Sequence, residues 1–159
     1  MIKHINGLML IGWREWCELP ELNIPAIKVK IDTGARTSAL HAANIKLHLT
    51  KNRKLVRFSV YPIQGNCQTI IHCEAPLVDE RDITSSNGHR EHRYVIRTQV
   101  KLGDKIQEIE LTLSNRDPLK FRMLLGRVAL QNLAVIDTAR SFCQGRIDRR
   151  KLKKIYNLL

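Results

Sequence analysis

The 159-residue chain predicts an all-β domain followed by one short helix, and three observations carry that reading. The first is alternation with period two, the signature of half-buried strands. Ile27, Val29 and Ile31 alternate with Lys28 and Lys30, and Val56, Phe58 and Val60 with Arg57 and Ser59. The second is punctuation by turn residues: Leu102-Gly103-Asp104 joins two apolar segments, and Asn87-Gly88 sits inside a polar stretch. The third is that helical spacing shows only at the end, where Leu152, Ile155, Tyr156 and Leu159 follow Asp148, a suitable N-cap.

Further strands are expected at Thr69–Glu74, Tyr94–Lys101, Ile109–Leu113, Phe121–Leu125 and Leu133–Asp137. Thr37–Leu49 fits no single period and reads as irregular. Asp79–His92 is polar and aperiodic, and reads as the tip of a hairpin. The length suits one domain, residues 1–145, with residues 146–159 as a basic helical appendage.

Composition narrows the function classes. The longest apolar run, Gly7 to Trp13, is too short to span a bilayer and lacks a cleavage-site pattern, so a cytoplasmic protein is expected. Cys17, Cys67, Cys73 and Cys143 have irregular spacing, and reduced thiols are expected. The net charge is +12, and half of it lies in Arg140–Leu159. No acid occurs between Asp32 and Glu74, a stretch holding Arg36, Lys46, Lys51, Arg53, Lys54 and Arg57. Such a field favours an anionic partner. With 5% aromatic residues and no nucleic-acid motif, RNA ranks behind protein partners.

No phosphate-binding Gly-rich loop and no His-Glu-x-x-His pair is present, so neither ATP nor zinc is expected as a cofactor. Cys67, His72 and Cys73 match no zinc spacing, and alternation sends His72 and Cys73 to opposite sheet faces.

The chemistry-bearing motif is Ile31-Asp32-Thr33-Gly34-Ala35, directly after an alternating strand. Alone, such a tetrad is commonly a turn in which Asp bonds its own backbone. Its context is Met123-Leu124-Leu125-Gly126-Arg127, an apolar strand ending in Gly-Arg. The pair resembles the active-site loop and threading strand of retroviral-type aspartic peptidases. Ile11–Glu15, Lys30–His41, Thr84–Ser86 and Arg116–Arg127 together resemble a bacterial and archaeal family of small retropepsin-like proteins, often labelled ATP-dependent zinc proteases.

That resemblance implies a closed retropepsin-like β-barrel and peptide hydrolysis with Asp32 as catalytic carboxylate. With one Asp-Thr-Gly per chain, it implies a homodimer. It further implies that Thr33 locks the two loops across the axis, and that Gly34 and Ala35 offer backbone groups to substrate. Gly126 and Arg127 support the loop, and Arg81–His92, with Ser85, Ser86 and Asn87, takes the place of the flap.

Arg36 stands where retroviral enzymes carry an acid that pairs with the Gly-Arg arginine. Arg127 therefore lacks its usual partner, with Asp117 as substitute, and Arg36 is expected to favour acidic substrate side chains. Asp137, in an echo of the motif, is a weaker candidate for a second carboxylate because Ala139 replaces the glycine. Relatives accompany ATP-grasp ligases that append glutamates to a ribosomal protein, which makes Glu-rich peptides the expected substrates. The alternative is a catalytically silent dimeric adaptor for such a ligase or the ribosome.

Overall fold

The computed structural model describes residues 3–84, 87–115 and 121–159. Two short strands, β1 (His4–Ile5) and β2 (Leu8–Ile11), form a hairpin. They are followed by β3 (Arg14–Leu19), a 3-10 turn at Pro20–Leu22, β4 (Ile24–Asp32), β5 (Ser38–His41), β6 (Ala43–Leu49) and β7 (Lys54–Val60). Then come the long β8 (Ile71–Thr84), β9 (Arg90–Leu102), β10 (Lys105–Ser114), β11 (Met123–Gly126), helix α1 (Arg127–Leu130), β12 (Ala134–Ile136) and helix α2 (Arg149–Ile155). The all-β expectation with one C-terminal helix holds. Among the described residues, no helix is long and apolar enough to cross a membrane.

The large sheet runs β10-β5-β11-β4-β3-β9-β8-β7-β6, and a further β9–β10 pairing closes its first six strands into a ring. The core fills this ring. Ile27, Val29, Leu40, Leu111, Leu113, Met123 and Leu125 are almost wholly buried beneath the Asp32 loop. Each fully buried aliphatic side chain of this kind contributes about 1.5–3 kcal/mol, so the loop rests on a rigid floor. β12 pairs parallel with β2 in a separate three-stranded sheet.

Two segments depart from the sequence reading. Thr37–Leu49 is not irregular but contains β5 and β6. Its period is broken because Asn44 adopts φ 52° and the β6–β7 register shifts between Ala43 and Lys46, a bulge that moves side chains to the other face. Asp79–His92 is largely strand, with pairing from Asp79↔Val95 through Thr84↔Arg90. This arm carries polar side chains on both faces and buries little, so the alternation that betrays other strands is missing.

Helix α2 begins as expected: the Asp148 carboxylate accepts the Lys151 N–H at 2.7 Å. The Tyr156 hydroxyl hydrogen-bonds the carbonyl of Ala26 on β4, and burial pushes its pKa up to about 12. Leu159 leaves the predicted apolar stripe and is 74% exposed. Asn157, at φ 56°, has already reversed the chain, and the Leu158 N–H bonds the Lys153 carbonyl at 2.8 Å.

The four cysteines are unpaired. Cys73 is buried near the Leu22 carbonyl, its pKa pushed up to about 12 by burial, whereas His72 bonds Ser59 at 3.2 Å. The two side chains thus diverge as alternation requires, and among the described residues no cluster of metal-ligating side chains forms.

Candidate active site

Chain topology creates the site. β11 lies between β4, parallel to it, and β5, antiparallel to it, with Gly126 in register with Asp32. Residues 33–37 must therefore cross over the C-terminal end of β11. That crossing leaves no room for a side chain at position 126. A Cβ there would lie 2.8 Å from the Thr37 carbonyl carbon and 2.9 Å from the Ala35 oxygen, both fixed backbone.

The loop is pinned from below. The Arg127 N–H bonds the Ala35 carbonyl at 2.8 Å, the Val128 N–H bonds that of Arg36 at 3.2 Å, and the Gly126 N–H bonds the buried Ser38 hydroxyl at 3.0 Å. The Arg127 guanidinium reaches the carbonyls of both Thr33 and Gly34 at 3.3 Å. Loop backbone thus supplies acceptors to Arg127; the expected substitute partner, Asp117, lies outside the described residues.

Held in this way, the half-exposed Asp32 carboxylate accepts the Gly34 N–H at 3.0 Å through Oδ1. Oδ2 has no protein partner among the described residues. Thr33 and Gly34 are exposed. Asp32, Thr33, Gly34, Ala35, Gly126 and Arg127 therefore come together as one unit.

The remaining candidates fall around it. Arg36 lines a cavity of about 300 Å³ beside the loop, with Arg81, Arg97, Glu108, Glu110 and Val128. Asn87 is exposed at the hairpin tip and accepts the His89 N–H at 3.2 Å, whereas Ser85 and Ser86 lie outside the described residues. The Asp137 carboxylate accepts the Ala139 N–H at 3.0 Å and meets Arg140 at 3.2 Å, so it is engaged within its own turn.

Sequence reasoning placed Ser38 within Lys30–His41 and Arg81 at the start of the flap segment but gave neither a role of its own. Arg81 ties the arm to the loop, meeting Glu110 and Asp79 at 2.8 Å and the Thr37 hydroxyl at 3.5 Å. Its hydrogen bond holds the Asp79 carboxyl below the usual range. Nothing local marks these two roles; only the packing of β11 on β5 and of the arm on β10 creates them.

Two predictions arise here. Arg127→Met removes the side-chain anchor and keeps the backbone bonds. Amide exchange at Gly34 and Ala35 is expected to accelerate about tenfold, the equivalent of one hydrogen bond from a charged donor; unchanged exchange means the guanidinium is not an anchor.

On the arm, His92 bridges Asp82 at 3.0 Å and Glu80 at 3.2 Å, and these hydrogen bonds, Asp82 first, raise its pKa above the ordinary 6.5. A raised pKa means that the bridge contributes fully below about pH 6.5 and is lost as pH rises through the shifted value. An NMR titration of the imidazole with its midpoint above 6.5 is expected; a midpoint at or below that value removes the bridge.

An all-β ring whose Asp-Thr-Gly loop crosses a Leu-Leu-Gly-Arg strand defines a retropepsin-like domain. The chain belongs to the RimB-like family, whose model, described as retropepsin-like aspartic endopeptidase RimB, matches residues 10–147. A "probable alpha-L-glutamate ligase" of Shewanella pealeana is 44% identical over 153 residues, covering 96% of this chain and 33% of its own. A protein of the same name from Desulfotalea psychrophila is 46% identical over 147 residues, covering 92% of this chain and 32% of its own. The chain thus spans about a third of the length of the curated relatives it matches. A crystal structure of a Legionella pneumophila protein of unknown function superposes with a TM-score of 0.70 at 29% identity, over 85% of this chain and 97% of that one.

Proposed function

We propose that the chain is an aspartic-type endopeptidase working as a symmetric homodimer, with Asp32 of each subunit forming the catalytic pair. The observation that carries this reading is the placement of Asp32: a half-exposed carboxylate fixed by Gly34 on a loop pinned to β11, with Thr33 and Gly34 exposed beside it.

Hydrolysis of an amide by carboxylates needs two of them. Like charges at contact cannot both ionise, so the pair retains one proton. The ionised carboxylate takes a proton from water as the oxygen attacks the carbonyl carbon, and the protonated one donates to the carbonyl oxygen. Collapse of the tetrahedral intermediate, with proton transfer to the amine, breaks the C–N bond. Each chain supplies one such carboxylate, which is why the site belongs to two chains.

Arg36 beside the loop supports a preference for acidic substrates, because an exposed guanidinium pairs with carboxylates in a bidentate fork. The second reading, a silent dimeric adaptor for a glutamate-adding ligase, is favoured by the names of the curated relatives. The test is hydrolysis of Glu-rich and matched Gln-rich peptides by the wild type and by Asp32→Asn. Faster cleavage of the Glu series, lost in the variant, supports the peptidase. Equal rates for protein and variant leave the adaptor.

A further inference from the structure

A second surface, sharing no residue with the Asp32 loop or its cavity, lies where β3 and β4 meet α2. Trp16 and Lys28 are cross-strand partners on the outer face of this strand pair. The Trp16 ring stacks on Phe142 with centroids 6.2 Å apart. Three cations crowd the two rings. Lys28 Nζ sits 5.3 Å from the Trp16 ring, and the guanidinium groups of Arg14 and Arg146 lie 4.9 and 5.4 Å from the Phe142 ring.

Helix α2 forms the opposite wall. Between wall and strands is a cleft of about 320 Å³ with an apolar floor of Trp16, Ile63, Leu152 and Leu158. Its rim carries Lys28, Arg149 and Lys153 with the amides of Gln64 and Asn66.

No carboxylate among the described residues lines the cleft. Among the described residues, none of the rim cations, nor Arg14 or Arg146, is ion-paired. Two of the neighbouring acids are committed elsewhere, Glu15 being buried under the sheet accepting backbone N–H groups and Asp148 capping the helix, and Glu18, on the Trp16 face of β3, lies outside the cleft lining. Burial first, and then the charge of Arg14, hold the Lys28 pKa below its ordinary value. Like charges gathered over an apolar floor are stabilised by an occupant that brings carboxylates and an apolar side chain together.

We propose that this cleft docks an acidic peptide segment of a partner protein, its carboxylates on Lys28, Arg149 and Lys153 and an apolar side chain on the Trp16–Leu152 floor. A nucleic acid fits less well. It has phosphates for the rim but no aliphatic group for the floor, and its bases would need ring faces that Lys28, Arg14 and Arg146 already cover. The site is independent of the proposed hydrolysis, and its test uses the Asp32→Asn chain so that the probe is not consumed.

A fluorescein-labelled Glu-Glu-Leu-Glu-Glu peptide is titrated and followed by anisotropy, beside its Gln-Gln-Leu-Gln-Gln counterpart and a single-stranded RNA of equal charge. The Glu peptide is expected to bind more tightly than either. Combining Lys28→Gln, Arg149→Gln and Lys153→Gln should weaken it about tenfold, as the loss of three partly exposed ion pairs implies. A charge-matched control of Lys46→Gln, Lys51→Gln and Lys54→Gln, on the exposed β6–β7 hairpin, should leave binding unchanged. Equal binding of the Glu and Gln peptides, equal loss in both triple variants, or tighter RNA binding that the cleft variant abolishes would overturn the assignment.

Discussion

Asp32→Asn is expected to lower peptide hydrolysis by at least about a thousandfold, in the range that loss of a positioned acid–base group produces, while leaving the fold in place. The structural half follows from the hydrogen bond that fixes the loop. Asn retains an Oδ1 able to accept the Gly34 N–H, and the bonds that Arg127 donates and that the Ser38 hydroxyl accepts from Gly126 do not involve residue 32 at all. The chemical half follows because an amide can neither take a proton from water nor hold one for the carbonyl. The proposed dimer adds a sharper consequence. If the site is assembled from two chains, the variant disables its partner. A ninefold excess of variant, after subunit exchange, should cut the activity of each wild-type chain about tenfold, because only a tenth of them retain a wild-type partner. Activity that simply adds, untouched by the variant, points instead to a site contained in one chain.

How much of this was legible in the sequence follows from where the information resides. Asp32 and Gly126 were visible because strand, turn and glycine are local, and two local signatures were enough to suggest their meeting; the β4–β11 register then puts one opposite the other. What failed was whatever depends on a break in periodicity or on distant packing. Asn44 shifts the pleat and hides β6, and a two-sided polar arm hides the ends of β8 and β9. Arg127 reads as an arginine missing its acid, because a side chain that bonds backbone carbonyls leaves no trace in residue identity. The cation-rimmed cleft is similar: its excess charge was plain in the C-terminal twenty residues, but its aromatic floor comes from β3, more than a hundred residues away.

The same blindness applies to Glu15, and here the expected effect on stability is largest. Glu15 lies on the core face of β3, between the inward positions of Cys17 and Leu19 and the corner at Gly12, and it is fully buried. No cation pairs with it among the described residues. Instead its Oε2 accepts the N–H groups of Gly12 and Cys143, both at 2.8 Å, and its Oε1 that of Gln144 at 3.0 Å. The side chain thereby clasps residues 140–144 to the β2–β3 corner. Backbone bonds from Trp13 N–H to the Arg140 carbonyl and from Phe142 N–H to the Arg14 carbonyl, each 2.9 Å, complete the contact. The fit is tight enough that a Cβ at Gly12 would fall 2.3 Å from the Arg140 oxygen. Phe142 is held at φ 55°, a strained conformation for an aromatic residue that costs on the order of 1–2 kcal/mol and persists only under such restraint. Glu15→Leu keeps the volume and removes every acceptor. Two buried N–H groups, of Gly12 and Cys143, and the half-buried one of Gln144 lose their partners; at about 1–3 kcal/mol for each buried donor, a loss of about 3 kcal/mol is expected in urea unfolding. Glu15→Gln retains one oxygen for two of the donors and turns an amide NH2 toward the third, which places it between the wild type and the Leu variant. Because Phe142 and Arg146 depend on the clasp, Glu15→Leu should also weaken the Glu peptide at the α2 cleft, under conditions where the ring of strands remains folded. A Leu variant as stable as the wild type would mean that the three N–H groups find other acceptors and that the clasp is dispensable.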